Sequence, residues 1–163
     1  SVYVGIDQSY SGFSITLLDD EGGYSTTVYK SDGRGVDRLL DIQKHMNSVL
    51  SGYTILDAAM EGYAFGSQMA NMLGELGGMV KLTLRKLGVY PLIVPPANLK
   101  KYVTVKGQGV SKSQMLLNVY KKWGVEFTDD NAADSYGLAR IARNKHDFEY
   151  EKEVYDKVTS PGK

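Results

Sequence analysis

The pattern of apolar and polar positions predicts five short strands in the first two thirds of the chain. Residues 2–7 form a short, β-branched apolar run, which is typical of a buried strand. Residues 12–18 and 24–30 alternate apolar and polar positions on either side of an Asp-Asp-Glu-Gly-Gly turn, so three antiparallel strands are predicted. Residues 55–60 and 92–94 predict a fourth and a fifth strand, the last one ended by two prolines.

Helical spacing of apolar residues predicts the remaining elements. The pattern indicates helices over residues 36–50, 67–87, 98–102, 111–123 and 129–144. The predicted capping residues of the last four are Ser67, Asn98, Ser111 and either Thr128 or Asp129. The charged tail from residue 145 onwards has no clear apolar period, so we expect it to be loosely held.

The order of these elements, β-β-β-α-β-α-β-α-α, predicts an α/β fold with a five-stranded mixed sheet flanked by helices. A chain of 163 residues is long enough for one such core. We therefore expect one domain over residues 1–145 and a charged C-terminal tail over residues 146–163. The chain has no cysteine, which excludes disulfides and thiolate metal sites. No apolar run reaches the roughly 20 residues of a membrane span, and no signal peptide is visible, so we expect a cytoplasmic protein with no membrane partner.

Charge is distributed unevenly along the chain. The formal net charge is zero, yet residues 76–125 contain nine lysines and arginines and no acidic residue. The remainder therefore carries a charge of −9. A segment this basic predicts a surface for an anionic partner when its side chains share a face. A solvated surface without a partner is the alternative.

Carboxylates stand at the ends of two predicted strands and at the start of the last helix. Asp7 ends the first strand, Glu61 follows the fourth, and the helix begins with Asp129, Asp130 and, one turn later, Asp134. Two of these, four residues apart, share one helical face, whereas at least one of the first two is expected only to cap the helix. Clustered carboxylates repel one another unless they are protonated or bind a divalent cation. The pattern therefore predicts magnesium chemistry on phosphate groups.

Four segments together resemble the RuvC-like Holliday junction resolvases of the RNase H-like (retroviral integrase) superfamily, especially the phage-encoded type. They are GIDQS, MEGYAFG, LKKYVTVKGQGVSKSQM and DDNAADSYGLA, in the family's order and spacing. The resemblance implies an RNase H-like fold and a crossover junction endodeoxyribonuclease that acts as a homodimer. It would make paired nicks in four-way junctions and other branched DNA, leaving 5′-phosphate and 3′-hydroxyl ends. The implied cofactor is Mg²⁺, two ions per site, with Mn²⁺ as a possible substitute.

The resemblance also implies a catalytic, metal-binding tetrad, which we assign to Asp7, Glu61, Asp130 and Asp134. Asp134 matches the final position of the family. For the third position we choose Asp130 because it shares a helical face with Asp134. Asp129 and Asn131 remain alternatives at that position, and an asparagine there would bring no charge.

Basic and aromatic residues extend the predicted site. Lys101 and Lys112 match the family's two basic positions, and Lys112 is the better candidate for a catalytic lysine at the scissile phosphate. The lysines predicted to contact the DNA backbone are Lys100, Lys101, Lys106, Lys112, Lys121 and Lys122. Tyr63 and Phe65 follow the predicted metal ligand of the fourth strand and could stack on unpaired bases at a junction, with core packing as the alternative.

Other functions stay open on the sequence alone. Asn131 in the tetrad region motivates a protein that binds branched DNA with weak or no cleavage. Another RNase H-like nuclease would use the same carboxylates on a different substrate. An actin-like or sugar-kinase ATPase shares the early strand pattern, but it would need a second domain and further glycine-rich phosphate loops.

Overall fold

The computed structural model describes residues 1–9, 12–62 and 70–160 of the chain. Its elements in chain order are β1 (Val2–Gln8), β2 (Phe13–Leu18), β3 (Tyr24–Tyr29), α1 (Val36–Leu50), β4 (Ile55–Glu61), α2 (Ala70–Lys86), β5 (Leu92–Val94), α3 (Pro96–Thr104), α4 (Lys112–Trp123), α5 (Asp130–Arg143) and α6 (Glu149–Thr159). In this part of the chain, no helix is long and apolar enough to cross a membrane.

The strands form one mixed sheet in the order β3-β2-β1-β4-β5. β2 pairs antiparallel with both β1 and β3, whereas β4 runs parallel to both β1 and β5. In the parallel register Ile6 lies opposite Met60. The residues that follow them, Asp7 and Glu61, are therefore carried to the same edge of the sheet. The predicted five-stranded mixed sheet is confirmed.

Hydrophobic residues pack on both faces of the sheet. On one face, Ile6, Ile15 and Met60 pack with residues of α1 and α2, including Met46 and Leu76. On the other face, the core is formed mainly by residues of α3, α4 and α5, and it includes Leu99, Tyr102, Met115, Leu138 and Ile141. The sheet is thus the middle of three layers, and α5 lies across its centre.

Helix α5 lies unusually close to the sheet because Gly5 of β1 has no side chain. A Cβ placed on Gly5 would lie 1.9 Å from the carbonyl oxygen of Ser135 and 2.4 Å from the backbone nitrogen of Ala139. The Ser135 hydroxyl then reaches β2, where its oxygen lies 2.7 Å from the Ser14 hydroxyl and 2.8 Å from that of Thr16. Since all three hydroxyls are buried, these bonds fix the position of α5 along the sheet.

Capping predictions are confirmed at two helices and wrong at a third. Ser111 caps α4 through a capping box with Gln114, and the Asp129 side chain accepts from the backbone at the start of α5. Helix α3 begins at Pro96 rather than after the predicted cap Asn98. Proline is well suited to the first helical turn, where its missing N–H has no helical partner. The predicted cap Ser67 lies outside the described residues.

The expectation of a loosely held tail is wrong. Residues 149–159 form α6, in which Glu151 and Val154 are buried. The Lys122 ammonium pairs with the Glu151 carboxylate, and it also donates to the Tyr102 carbonyl oxygen at 2.6 Å and to the Tyr150 hydroxyl at 2.9 Å. Val154, Tyr155 and Val158 pack this helix against the core, but charged residues separate these apolar positions, and the pair of Lys122 with Glu151 adds an anchor that an apolar pattern does not reveal.

We expect Lys122→Ala to lower the free energy of unfolding by about 3–5 kcal/mol, because the buried Glu151 carboxylate would lose its counter-charge. Urea unfolding followed by circular dichroism measures the effect. Lys121→Ala is the matched control, since this neighbouring lysine is exposed, and its effect should stay within about 0.5 kcal/mol. Equal effects of the two variants would show that the ion pair contributes nothing to stability.

Candidate active site

The predicted acidic residues meet at the carboxyl edge of the central strands. Asp7 and Glu61 are brought there by β1 and β4, and Asp130 and Asp134 by the first turns of α5. A cavity of about 400 Å³ opens at this edge, and its polar lining consists of Glu61, Lys100, Ser111, Lys112, Asp130 and Asp134. The structure therefore brings together three of the four predicted tetrad carboxylates around one cavity.

Asp7 belongs to the same electrostatic cluster although it does not line this cavity. Its side chain is almost fully buried, with 5% of the residue exposed. Burial raises the pKa of Asp7 well above its usual range, and the negative charges of Glu61, Asp134, Asp130 and Asp129 raise it further. A carboxylate in these surroundings is costly to ionise unless a positive charge is added nearby.

Two of the cavity carboxylates also resist ionisation. Burial raises the pKa of Glu61 to about 7, and the positive charge of Lys100 opposes this shift. Burial raises the pKa of Asp134 to about 8, with the charges of Glu61 and Asp130 adding to it and those of Lys100 and Lys112 opposing it. Perturbed carboxyl groups that converge in a cleft are typical of functional sites.

The start of α5 separates the three candidates for the third tetrad position. Asp129 serves as the helix cap, and its Oδ1 accepts from the backbone nitrogens of Asn131 at 2.7 Å and of Ala132 at 3.3 Å. Asp130 lines the cavity, and its Oδ2 lies 3.7 Å from the Lys112 ammonium. The Asn131 side chain lies instead against Gly12, where its Nδ2 would be 3.1 Å from an added Cβ. Geometry thus favours Asp130 for the third position.

Gln8 is a site residue that sequence reasoning missed. It follows Asp7 at the end of β1, and its Nε2 donates to the backbone oxygen of Glu61 at 2.9 Å. Its Oε1 is buried, and no donor among the described residues reaches it. A buried acceptor without a partner is costly. The signal available in the sequence was its place directly after Asp7 without an ordinary turn.

The donor set suits a divalent cation in its chemistry. Carboxylate oxygens are the preferred ligands of Mg²⁺, and burial with mutual repulsion is the condition that a bound cation relieves. The Oε1 of Gln8, which has no donor among the described residues, adds an acceptor that a water held by the metal would satisfy. Within the described residues, no three acidic or histidine side chains already converge tightly enough to hold a metal ion.

The predicted DNA-contacting lysines lie in different surroundings. Lys100 lines the cavity, whereas Lys101, its neighbour on α3, does not. Lys106 and Lys121 are exposed, and the Lys112 side chain is 83% exposed. The Lys122 ammonium is bound to Glu151 and to the Tyr150 hydroxyl of α6, which makes it the least suited of these lysines to contact a phosphate. Tyr63 and Phe65 lie outside the described residues, so their stacking role stays a prediction.

Comparisons with known proteins identify the fold. No family model matches the sequence, and no curated protein matches it significantly. Among solved structures, RuvC of Thermus thermophilus is 19% identical with a TM-score of 0.70, and each chain is covered to 96%. The T. thermophilus RuvC complex with a Holliday junction substrate is 18% identical, with a TM-score of 0.68, covering 85% of this chain and 90% of that one. The yeast mitochondrial Holliday junction resolvase Ydc2 is 14% identical, with a TM-score of 0.56 and coverage of 96% and 79%.

These likenesses confirm the predicted fold class and the predicted structural resemblance to RuvC-like resolvases. The chain adopts the RNase H-like α/β fold, with its mixed sheet and flanking helices. Because the sequence identities are below 20%, these structures show the fold alone. The chemistry of this chain follows from its own residues.

We expect Asp134→Asn to stabilise the metal-free protein, with a gain that grows between about pH 4 and pH 8 and then levels off. The pKa of Asp134 rises from its usual 3.8 to about 8 on folding, so the native state retains a proton that the unfolded chain has lost. The stability of the wild type should therefore fall relative to the variant across this interval. Thermal unfolding in a chelator at several pH values measures the difference.

The exposed substitution Glu153→Gln is the control, and its effect should stay nearly constant over the same pH interval. A stability difference between wild type and Asp134→Asn that shrinks as the pH rises would contradict the electrostatic description of the site.

Proposed function

We propose that the protein is a metal-dependent, structure-selective DNA endonuclease that cuts Holliday junctions and other branched DNA by paired hydrolysis of phosphodiester bonds. The observation that carries this proposal is the convergence of Asp7, Glu61, Asp130 and Asp134 at one edge of the sheet. The fold supports it, since one structure of that fold is a RuvC complex with a Holliday junction substrate. The expected products carry 5′-phosphate and 3′-hydroxyl ends.

The four carboxylates would hold the divalent ions, for which we propose Mg²⁺ with Mn²⁺ as a substitute. Such ions supply an activated water and stabilise the leaving oxygen of a phosphodiester. The chain's own residues position these ligands: β1 and β4 fix Asp7 and Glu61, and the amide of Gln8 ties the two strand ends together. The pKa of Glu61 is raised to about 7, close to neutral pH. A cation beside it would lower this pKa and keep Glu61 ionised.

Lys112 stands at the mouth of the cavity and would contact the DNA. Its side chain is largely exposed and its ammonium is 3.7 Å from Asp130. This distance leaves the ion pair weak, so a phosphate can compete for the ammonium. The exposed Lys106 and Lys121 lie outside the cavity and would add contacts to the backbone, which position DNA without reading its sequence.

A homodimer fits the substrate that we propose. A four-way junction presents two symmetry-related strands, and paired nicks require two related active sites. One chain carries a single set of the described carboxylates. The mass of the protein in solution, measured by light scattering with and without junction DNA, tests this part of the proposal.

The rival reading as another RNase H-like nuclease rests on the same carboxylates. A related enzyme of RNA processing would share the fold and the metal chemistry, so the two readings differ in substrate. Parallel assays on a synthetic four-way junction, a matched linear duplex and an RNA–DNA hybrid, each with Mg²⁺ and Mn²⁺, separate them. Preferential symmetric nicking of the junction is expected. Cleavage of the hybrid alone would overturn the junction assignment, and binding without cleavage in either metal would leave a branched-DNA-binding protein.

We expect Asp7→Asn to reduce junction cleavage by a factor of about 10³ or more, because the variant loses a metal ligand at the centre of the cluster. Junction binding in a chelator should be unchanged or tighter, since repulsion of the phosphate falls. Single-turnover cleavage and fluorescence anisotropy measure the two effects.

Asp57→Asn is a matched control for Asp7→Asn. Asp57 is a half-buried carboxyl of β4, paired with Tyr3 in the register, and therefore about 13 Å along the strands from Asp7. Its cleavage rate should stay within a few-fold of wild type. Loss of binding by Asp7→Asn, or equal loss of cleavage by the control, would indicate a folding role for the carboxyl group instead.

A second pair of variants tests which aspartate at the start of α5 caps the helix and which one binds metal. We expect Asp129→Ala to lower stability by about 1 kcal/mol through loss of the helix cap, with cleavage by the folded protein largely retained. Asp130→Asn should leave stability nearly unchanged and lower cleavage strongly. Urea unfolding and single-turnover cleavage at saturating protein measure both properties. The reverse outcome would assign the third tetrad position to Asp129.

A further inference from the structure

Two adjacent lysines of α3 differ in their relation to the acidic cavity. Both Lys100 and Lys101 are half-buried, and both belong to the basic segment. Lys100 lines the cavity together with Glu61, Asp130 and Asp134, whereas Lys101 is not part of its lining. The lysine that matches the family's basic position in the sequence is therefore not the lysine that faces the carboxylates.

The phase of α3 explains this difference. Pro96, the first residue of the helix, lines the cavity, and so do Leu99 and Lys100, three and four residues later. Residues at this spacing share one face of a helix. Lys101 is turned by about 100° from Lys100 and leaves that face.

A close contact between α3 and α5 holds the cavity face in place. Gly137 of α5 has no side chain, and a Cβ placed there would lie 3.1 Å both from Cδ1 of Leu99 and from Cγ2 of Val103. The two helices thus touch one residue before Lys100 and three residues after Asp134. Both contacting side chains of α3 are buried, so the helix cannot easily rotate to exchange Lys100 for Lys101.

The Lys100 side chain faces the same cavity as the carboxyl groups of Glu61 and Asp134. Among the described residues, no carboxylate oxygen lies within the 4.0 Å of an ion pair with it, whereas Lys112 pairs with Asp130. The Lys100 ammonium is thus near the acidic cluster without being bound to one of its members. A phosphate group brought to the carboxylates would meet a lysine that has no ion pair to break.

We propose that Lys100 is a catalytic residue of the nuclease, whose ammonium contacts a non-bridging oxygen of the scissile phosphate inside the cavity. It would stabilise the charge that develops on this oxygen during hydrolysis, without transferring a proton. Lys101 contacts DNA outside the cavity. This inference rests on the proposed function, and it places Lys100 at the scissile phosphate instead of Lys101, the lysine that matches the family's basic position.

The test compares Lys100→Ala with Lys101→Ala, two variants of equal charge in one helix. With saturating protein and Mg²⁺, Lys100→Ala should lower the single-turnover rate of junction cleavage by about 10²–10³-fold. Lys101→Ala should act mainly on affinity: it should weaken junction binding, with a salt dependence reduced by about one phosphate contact, and lower the saturated rate far less than Lys100→Ala does. Lys86→Ala, which removes an exposed lysine of α2 outside the proposed DNA contacts, is the control that should keep the rate within about threefold. Lys100→Arg, which retains the charge, should recover part of the lost rate.

A measurement without DNA provides a second readout. At pH 9, above the pKa of about 7 for Glu61 and about 8 for Asp134, Lys100→Ala should bind Mn²⁺ several-fold more tightly than wild type in anaerobic calorimetry, because repulsion between the ammonium and the cation disappears. Lys101→Ala should bind Mn²⁺ as wild type does. A purely structural role for Lys100 predicts no gain in metal affinity.

Three outcomes would overturn the inference: a rate loss by Lys101→Ala equal to or larger than that of Lys100→Ala, unchanged Mn²⁺ affinity in Lys100→Ala, or full activity of Lys100→Ala. If Lys100→Ala does not fold, Lys100→Gln keeps most of the side-chain stem, and the same criteria apply. Failure of the proposed function looks different, because the wild type itself would then not cleave any junction in Mg²⁺ or Mn²⁺.

Discussion

The contact between the backbones of Gly5 and α5 is the constraint on which the rest of the structure depends. An added Cβ at Gly5 would come within 1.9 Å of the Ser135 carbonyl oxygen, so helix and strand touch without side chains between them. Asp134 precedes Ser135 and is thereby held beside the carboxyl end of β1, where Asp7 lies. A second small residue, Gly137, then lets α3 approach α5. The site is thus assembled by two places where the backbone comes close to its neighbours.

This assembly places like charges where folding alone would not favour them. Asp7 is nearly inaccessible to solvent, and the pKa of Asp134 rises to about 8 through burial and its acidic neighbours. Interactions elsewhere offset the cost, including the buried hydroxyl contacts of Ser135 with Ser14 and Thr16. Residual destabilisation at a functional site is common, because selection acts on activity as well as on stability.

The sequence was sufficient wherever the signal was local. The strand ends at Asp7 and Glu61 and the cap at Ser111 follow from apolar runs and side-chain chemistry, and the structure has them where expected. Helix α6 was missed because charged residues separate its apolar positions and because no periodicity reveals the pair of Glu151 with a lysine 29 residues earlier. Gly5 looks like an ordinary strand residue until α5 is placed upon it. Contacts between distant segments, rather than propensities, carried the information that was lacking.

The basic segment, residues 76–125, shows that the summed charge of a segment does not reveal what each of its lysines does. Two of its lysines, Lys100 and Lys112, lie in the acidic cavity, whereas Lys81 and Arg85 of α2 line a separate pocket. Lys122 pairs instead with Glu151 of α6. Four carboxyl groups and two ammonium groups meet at this edge, and burial with mutual repulsion raises the pKa of Asp7 and Asp134. Bound cations would favour the ionised carboxylates and attract a phosphate, so metal binding and phosphate binding depend on each other at this site.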